Sequence, residues 1–214
     1  MPCWEGWLAV PVLGVLGGFS AGAFSRVLIL FGRGLPGRLG GAIKRRRVLF
    51  AALCGLVVAG CGLLSDGAAF GTGYAQARAL VQDGAGLSAV FGALKLLAAA
   101  SSVSGIPGGI FAPSLAVGAG LGANVAALLP GPPASALVVL GTVAYFAGVV
   151  QAPTTAFVIV GEMTNDHALI LPLMLTALIA NRAWRLVCPE GVYHALAHNF
   201  VTAEAARPIR PAPG

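Results

Sequence analysis

The chain has 214 residues, of which 57% are hydrophobic, only 9% are charged and 31 are glycine. A soluble domain carries about 25% charged residues, so the composition excludes an ordinary soluble domain and indicates a membrane protein whose helices pack through glycine. The formal net charge is +6, and the four cysteines (Cys3, Cys54, Cys61 and Cys188) show no C-x-x-C spacing, which favours small buried side chains over metal ligands or disulfides.

The first predicted element is a membrane span over residues 8–31. About 20 apolar residues cross a bilayer, so this segment is long enough to span it with some tilt. Gly14, Gly18 and Gly22 repeat every four residues, and this spacing predicts a flat helix face for close packing.

The same span contains a G-x-S-x-G sequence centred on Ser20. A hydrolase needs a strand, a sharp turn and a helix around such a serine, whereas this pattern is one uninterrupted apolar helix. An intramembrane hydrolase that pairs Ser20 with His194 or His198 is therefore the less favoured alternative, and we expect no enzymatic activity.

A run of cations without any acid follows the first span, within residues 33–47, here called the basic loop. The cations are Arg33, Arg38, Lys44, Arg45, Arg46 and Arg47. A nucleic-acid-binding patch is one interpretation, but a basic loop between two apolar segments is typical of the cytoplasmic side of a membrane protein. We expect this loop in the cytoplasm and no nucleic-acid partner.

Residues 48–64 form the second predicted span, and the glycine-rich residues 71–74 predict a turn into a polar helix of partial depth. The next apolar segment, residues 87–100, is short and contains Lys95. An ionisable residue at membrane depth has to face protein or water. We expect Lys95 to extend along its helix and to place its ammonium group at the membrane interface.

Residues 104–116, SGIPGGIFAPSLA, predict a loop that turns into a helix, with Pro107 in the first helical turn. Its glycines, among them Gly109, let a ligand approach the backbone closely. The free N–H groups and the positive end of the helix dipole together favour an anion. Transporters place broken helices of this kind near mid-membrane. A helical pattern follows, with small residues at every fourth position, namely Ser114, Gly118 and Gly122.

The remaining predicted helices differ in length and are interrupted. Residues 137–150 predict a short apolar helix, Pro153 interrupts the chain, and a further helical segment ends near Glu162. Residues 167–180 predict another span, closed by a basic edge at residues 181–185. Residues 188–201 predict a small helix, and residues 206–214 a disordered Pro-rich tail. We divide the chain into a membrane region, residues 1–205, and this tail.

Two blocks carry a resemblance to a known family. The sequence GGIFAPSLAVGAGLG resembles the G-x-F-x-P anion-filter motif of the CLC family of chloride channels and chloride/proton antiporters, and residues 146–180 are similar to a later segment of the same family. The resemblance implies an all-α polytopic membrane protein, the second half of an inverted-repeat fold with short, tilted and broken helices. It also implies transport of chloride across the cell membrane without a cofactor.

The resemblance also implies site residues. They are Gly109, Ile110, Phe111, Ala112 and Tyr193, with the amides of Ile110 and Phe111 and the hydroxyl of Tyr193 donating to chloride. An interfacial aromatic anchor is the alternative for Tyr193. The resemblance implies a structural role for Glu162, whose carboxylate is expected to accept hydrogen bonds near a helix end.

The family's G-[KR]-E-G-P segment, which carries its gating glutamate, has no counterpart in the sequence. A full protomer would need about twice this length, so the chain is expected to be a truncated, split or degenerate family member. Its expected partners are lipid, a second copy of itself or a chain that supplies the first half. A non-transporting membrane subunit is the alternative, and the sequence leaves open whether a complete protein is a channel or an antiporter.

Overall fold

The computed structural model describes residues 4–33, 41, 45–83, 90–103, 109–129, 131–164, 166–189 and 191. These residues form helices and turns and contain no strand, so the predicted all-α fold is confirmed. The helices are α1 (Trp4–Arg33), α2 (Arg47–Leu64), α3 (Tyr74–Asp83), α4 (Phe91–Val103), α5 (Phe111–Leu128), α6 (Ala134–Val150), α7 (Pro153–Thr164) and α8 (Ile170–Val187), with a short 3-10 helix at His167–Leu169 before α8.

The helices differ widely in length, as the sequence predicts. Three stretches of the described chain are long and apolar enough to cross a membrane, namely Gly6–Phe31, Phe111–Leu128 and His167–Val187. Shorter apolar helices lie at Val48–Leu64, Phe91–Ser102 and Ala134–Val150. A mixture of full and partial spans is typical of transporters with broken helices.

Helix α6 is the centre of the fold. It contacts α1, α3, α5, α7 and α8, and Leu137, Val143 and Phe146 are fully buried. A helix that is apolar on all sides is typical of a buried core helix or a membrane span. Within the described chain, five other helices pack against α6.

Helices α1 and α8 pack through the predicted glycine face. A Cβ atom built on Gly14 would lie 2.8 Å from Ile179 Cγ2, and one on Gly22 would lie 2.7 Å from Val187 Cβ. The indole N–H of Trp184 also donates to the hydroxyl oxygen of the buried Ser25, at 3.1 Å. The close packing predicted from the four-residue spacing is confirmed, and Ser20 lies inside the same continuous helix.

Helix α5 crosses α6 at similarly short range. A Cβ atom on Gly118 would lie 2.7 Å from the Gly141 carbonyl oxygen, and one on Gly122 would lie 2.6 Å from Val138 Cα. Because the neighbouring atoms belong to the backbone, they cannot move aside as a flexible side chain would. The predicted small-residue face of α5 is thus the surface that fixes this helix against the centre of the fold.

Two predicted boundaries are wrong. Helix α8 does not end at Ala180 but continues to Val187, because its last turns pack on α1 and bury Trp184. The second boundary is the start of the helix after the glycine-rich loop. The sequence predicts Pro107 in its first turn, but the helix begins at Phe111, so the proline in its first turn is Pro113. Pro107 itself lies outside the described residues.

Helix α2 lies at the edge of the fold. Within the described chain its main helical neighbour is α4. Val48, Leu56 and Leu63 on α2 are largely exposed. An apolar surface of this kind is suited to lipid rather than water, in keeping with an integral membrane protein.

Candidate functional site

The candidate site is the N-terminus of α5. Ile110 is the N-cap residue, with φ −90° and ψ −11°, and no side chain caps this end. The first N–H groups of a helix have no partner inside it. Within the described part of the chain, no backbone carbonyl accepts the N–H groups of Ile110, Phe111 or Ala112. These donors, with the helix dipole behind them, favour a negative charge.

Side chains hold this helix end in place. The hydroxyl of the buried Ser114 donates to the Ile110 carbonyl, and the Ser114 N–H donates to the same oxygen at 3.1 Å. The Phe111 ring packs edge to face against Phe146, with ring centroids 4.5 Å apart. Since Phe146 is fully buried in α6, the first turn of α5 is anchored to the centre of the fold.

Two cavities lie beside the first turns of α5. A smaller one of about 150 Å³ is lined by Gly109, Ile110 and Pro113 together with residues of α2, α4 and the turn after α2. A larger one of about 470 Å³ is lined by Ala112 and by residues of α3, α6 and α7. A Cβ atom on Gly109 would meet no described atom within 4 Å. The backbone at this helix end therefore borders open space into which a small ion fits.

Lys95 lies in the wall of the smaller cavity. Its side chain is only 2% exposed, and its ammonium group donates to the carbonyls of Ala69 at 2.8 Å and Gly71 at 2.7 Å. The expectation that Lys95 reaches the membrane interface is wrong. The residues between α2 and α3 fold over the ammonium group and supply backbone acceptors inside the protein, so the side chain has no need to reach water.

The turn that binds Lys95 has a backbone that requires glycine. Gly67, Gly71 and Gly73 have φ values of 82°, 65° and 77°, a region that side chains disfavour. The hydroxyl of Ser65 donates to the Cys61 carbonyl at 2.7 Å and accepts the Ala69 N–H at 2.9 Å. The predicted glycine turn and the helix that follows it, α3, are both present, and the partial membrane depth of α3 stays a prediction.

Other predicted features take no part in this site. Glu162 is exposed in the last turn of α7. No hydrogen-bond donor among the described residues bonds to its carboxylate, so the structural contacts expected for Glu162 are not found within the described chain. Cys61 and Cys188 are buried and Cys54 is partly buried. A search of the described residues finds no group of three metal-ligating side chains.

Four of the five predicted site residues are consecutive in the chain and lie within the described residues. Gly109, Ile110, Phe111 and Ala112 form the last loop residues and the first turn of α5. Tyr193 lies outside the described residues, as do Ser104, His194 and His198. Sequence reasoning assigned Lys95 to the interface and so missed its place beside the site, although an ionisable residue in an apolar segment was the available signal.

Comparison with known proteins identifies similar sequences. The sequence profile of the family described as voltage gated chloride channel matches residues 2–185. The H(+)/Cl(-) exchange transporter ClcA of Yersinia pestis bv. Antiqua (strain Angola) is 34% identical over 217 residues, which cover 94% of this chain and 44% of the relative. ClcA of Vibrio vulnificus (strain YJ016) is 39% identical over 110 residues, 49% of this chain and 24% of the relative.

A solved structure has the same arrangement of helices. The crystal structure of a CLC-type fluoride/proton antiporter matches with a TM-score of 0.69 over 92% of this chain and 47% of that chain, at 20% sequence identity. At this identity the likeness shows the fold. The chain thus spans about half the length of the relatives that it matches from end to end.

Proposed function

Since the chain belongs to the voltage-gated chloride channel (CLC) family, we propose that it forms one half of an anion transport pathway, in a channel or a chloride/proton antiporter. The N-terminus of α5, whose first N–H groups have no carbonyl acceptor among the described residues, lies beside a cavity, and this observation carries the proposal. Helix ends of this kind bind anions without needing a charged side chain. The anion proposed is chloride, because the curated relatives are named as H(+)/Cl(-) exchange transporters.

The proposed roles follow from position. The N–H groups of Ile110 and Phe111 donate to the anion, and Gly109 and Ala112 leave room for it to approach the backbone. The Tyr193 hydroxyl is proposed as a further donor, because a phenol can bond to an anion without carrying a charge. These groups would replace part of the water shell of chloride during passage.

We propose that the chain needs a second component to transport. Phe111, at the site itself, is 44% exposed, and Gly109 is exposed as well. A pathway lined on one side only would leave backbone polar groups facing lipid, which is costly. The proposed partner is a chain that supplies the first half of the fold, and assembly into a dimer of such pairs is the further proposal.

Chloride efflux from liposomes tests this function. One preparation contains the chain alone, and a second contains the chain co-expressed with the first half of the Yersinia relative. We expect background efflux from the first and chloride-selective efflux from the second. A co-assembled pair that forms a stable complex yet stays at background would favour the alternative of a non-transporting subunit. Robust selective efflux from the chain alone would show that no second half is needed.

A further inference from the structure

Lys95 carries a buried positive charge whose described partners are all neutral. Besides the two short bonds to Ala69 and Gly71, its ammonium group has a third acceptor, the Phe70 carbonyl, at 3.5 Å. Hydrogen bonds from N–H groups normally measure 2.7–3.2 Å, so this third contact is weak. Among the described residues no carboxylate pairs with this cation. The carbonyls satisfy its donors but do not cancel its charge.

Lys95 also lines the cavity at the candidate site. The cavity of about 150 Å³ is lined by Lys95 and by Gly109, Ile110 and Pro113 at the start of α5. A buried cation and a helix N-terminus both attract negative charge, so an anion in this cavity would be stabilised by both. Water screens such an interaction little inside protein.

The turn bound by Lys95 also touches α5 directly. A Cβ atom built on Gly73 would lie 2.6 Å from Ala116 Cβ, 3.0 Å from Lys95 Cε and 3.3 Å from Lys95 Nζ. The turn is therefore packed between the lysine and the second turn of α5. Any change that releases the carbonyls of Ala69 and Gly71 would loosen a direct neighbour of the candidate site.

We infer that Lys95 is a positioning residue of the anion site, which clamps the turn at residues 69–73 onto α5 and raises the affinity for the anion through its charge. This inference rests on the proposed function. The burial of the charge favours an electrostatic role over a purely structural one. A neutral amide donor would also bond to carbonyls, without the desolvation cost of an ammonium group.

Three substitutions separate the charge from the hydrogen bonds. Lys95→Gln keeps N–H donors and removes the charge, Lys95→Met removes both, and Lys95→Arg keeps both. Chloride binding to the co-assembled protein is measured by isothermal titration, and thermal unfolding is measured beside it. At an effective dielectric constant of about 20, a unit charge about 7–12 Å from the anion changes its affinity by roughly 10- to 50-fold, so loss of the Lys95 charge should weaken binding by roughly that factor.

We expect both Lys95→Gln and Lys95→Met to bind chloride roughly 10- to 50-fold more weakly, and Lys95→Arg to stay within about threefold of the wild type. Lys95→Gln should unfold closer to the wild-type temperature than Lys95→Met. If the lysine acted only through its hydrogen bonds, Lys95→Gln would retain the full chloride affinity and only Lys95→Met would lose it. That result would overturn the inference.

A second substitution tests the cavity without removing the lysine. Ser102 lines the same cavity and is exposed, so it tolerates a new side chain. Ser102→Asp should weaken chloride binding several-fold, and Ser102→Asn is the uncharged control. Equal affinities for these two variants would contradict electrostatic coupling across the cavity.

If the wild-type assembly binds no chloride, the proposed function fails and this inference with it. If it binds and Lys95→Gln binds equally well, only the inference on Lys95 fails.

Discussion

Replacing the peptide bond between Ile110 and Phe111 by an ester removes one N–H donor from the candidate site and keeps every side chain. A proline at position 111 would remove the same donor. It would also disfavour the helical conformation of the residue before it, and Ile110 has φ −90° and ψ −11°. The ester is therefore the cleaner change.

The expected loss follows from the type of bond removed. A hydrogen bond to a charged group contributes about 1.5–3 kcal/mol, so the ester should weaken chloride binding by about 10- to 150-fold. Phe111→Leu keeps the N–H group and should change the affinity much less. The loss of the ring contact with Phe146 would appear as reduced stability instead.

Isothermal titration of chloride into the co-assembled protein measures these affinities. An ester also weakens the Ile110 carbonyl as an acceptor, and Ser114→Ala, which removes the hydroxyl bond to that carbonyl, reports the size of this side effect. An ester at Leu115, inside α5, is the matched backbone control and should leave the affinity unchanged. Equal chloride affinity for the Phe111 ester and the Leu115 ester would refute the backbone-donor account.

The remaining predictions concern the fold. Gly122→Ala should lower the free energy of unfolding by about 1–3 kcal/mol, because the added methyl group overpacks against backbone atoms; thermal unfolding in detergent measures this. Gly55→Ala is the control, because no described atom lies within 4 Å of a Cβ atom built there. It should leave stability unchanged or raise it. Ser25→Ala should cost about 1–3 kcal/mol, because it leaves the buried Trp184 N–H without its acceptor, and Ser25→Thr should restore part of the loss in the same measurement. A cysteine at Gly40 should react with an impermeant thiol reagent only from the cytoplasmic side of sealed vesicles, and labelling only from the outside would reverse the predicted topology of the basic loop.

The sequence predicted the helices and their tight contacts well, because both depend on local patterns. Rows of small residues such as Gly14, Gly18 and Gly22 mark a contact face whatever the partner is. The spacing could not show that this face meets α8, since a glycine row does not identify its neighbour. The extension of α8 to Val187 was missed for the same reason, because it depends on the packing of Trp184 against α1.

The site was predicted in part. The glycines and prolines of residues 104–116 predict a loop that turns into a helix, and the structure begins α5 at Phe111, with Pro113 instead of Pro107 in its first turn. The environment of Lys95 was not predictable, because its acceptors lie 24 to 26 residues earlier in the chain. Only the folded turn brings them together, and a lysine in an apolar segment is compatible with an interfacial position as well.

The most direct test of the account is to locate the anion. Crystals of the co-assembled protein grown in bromide would give an anomalous difference peak at each bound bromide. We expect a peak in front of α5, within hydrogen-bonding distance of the N–H groups of Ile110 and Phe111. A well-ordered helix end with no peak there, while bromide is ordered elsewhere in the same crystal, would contradict it.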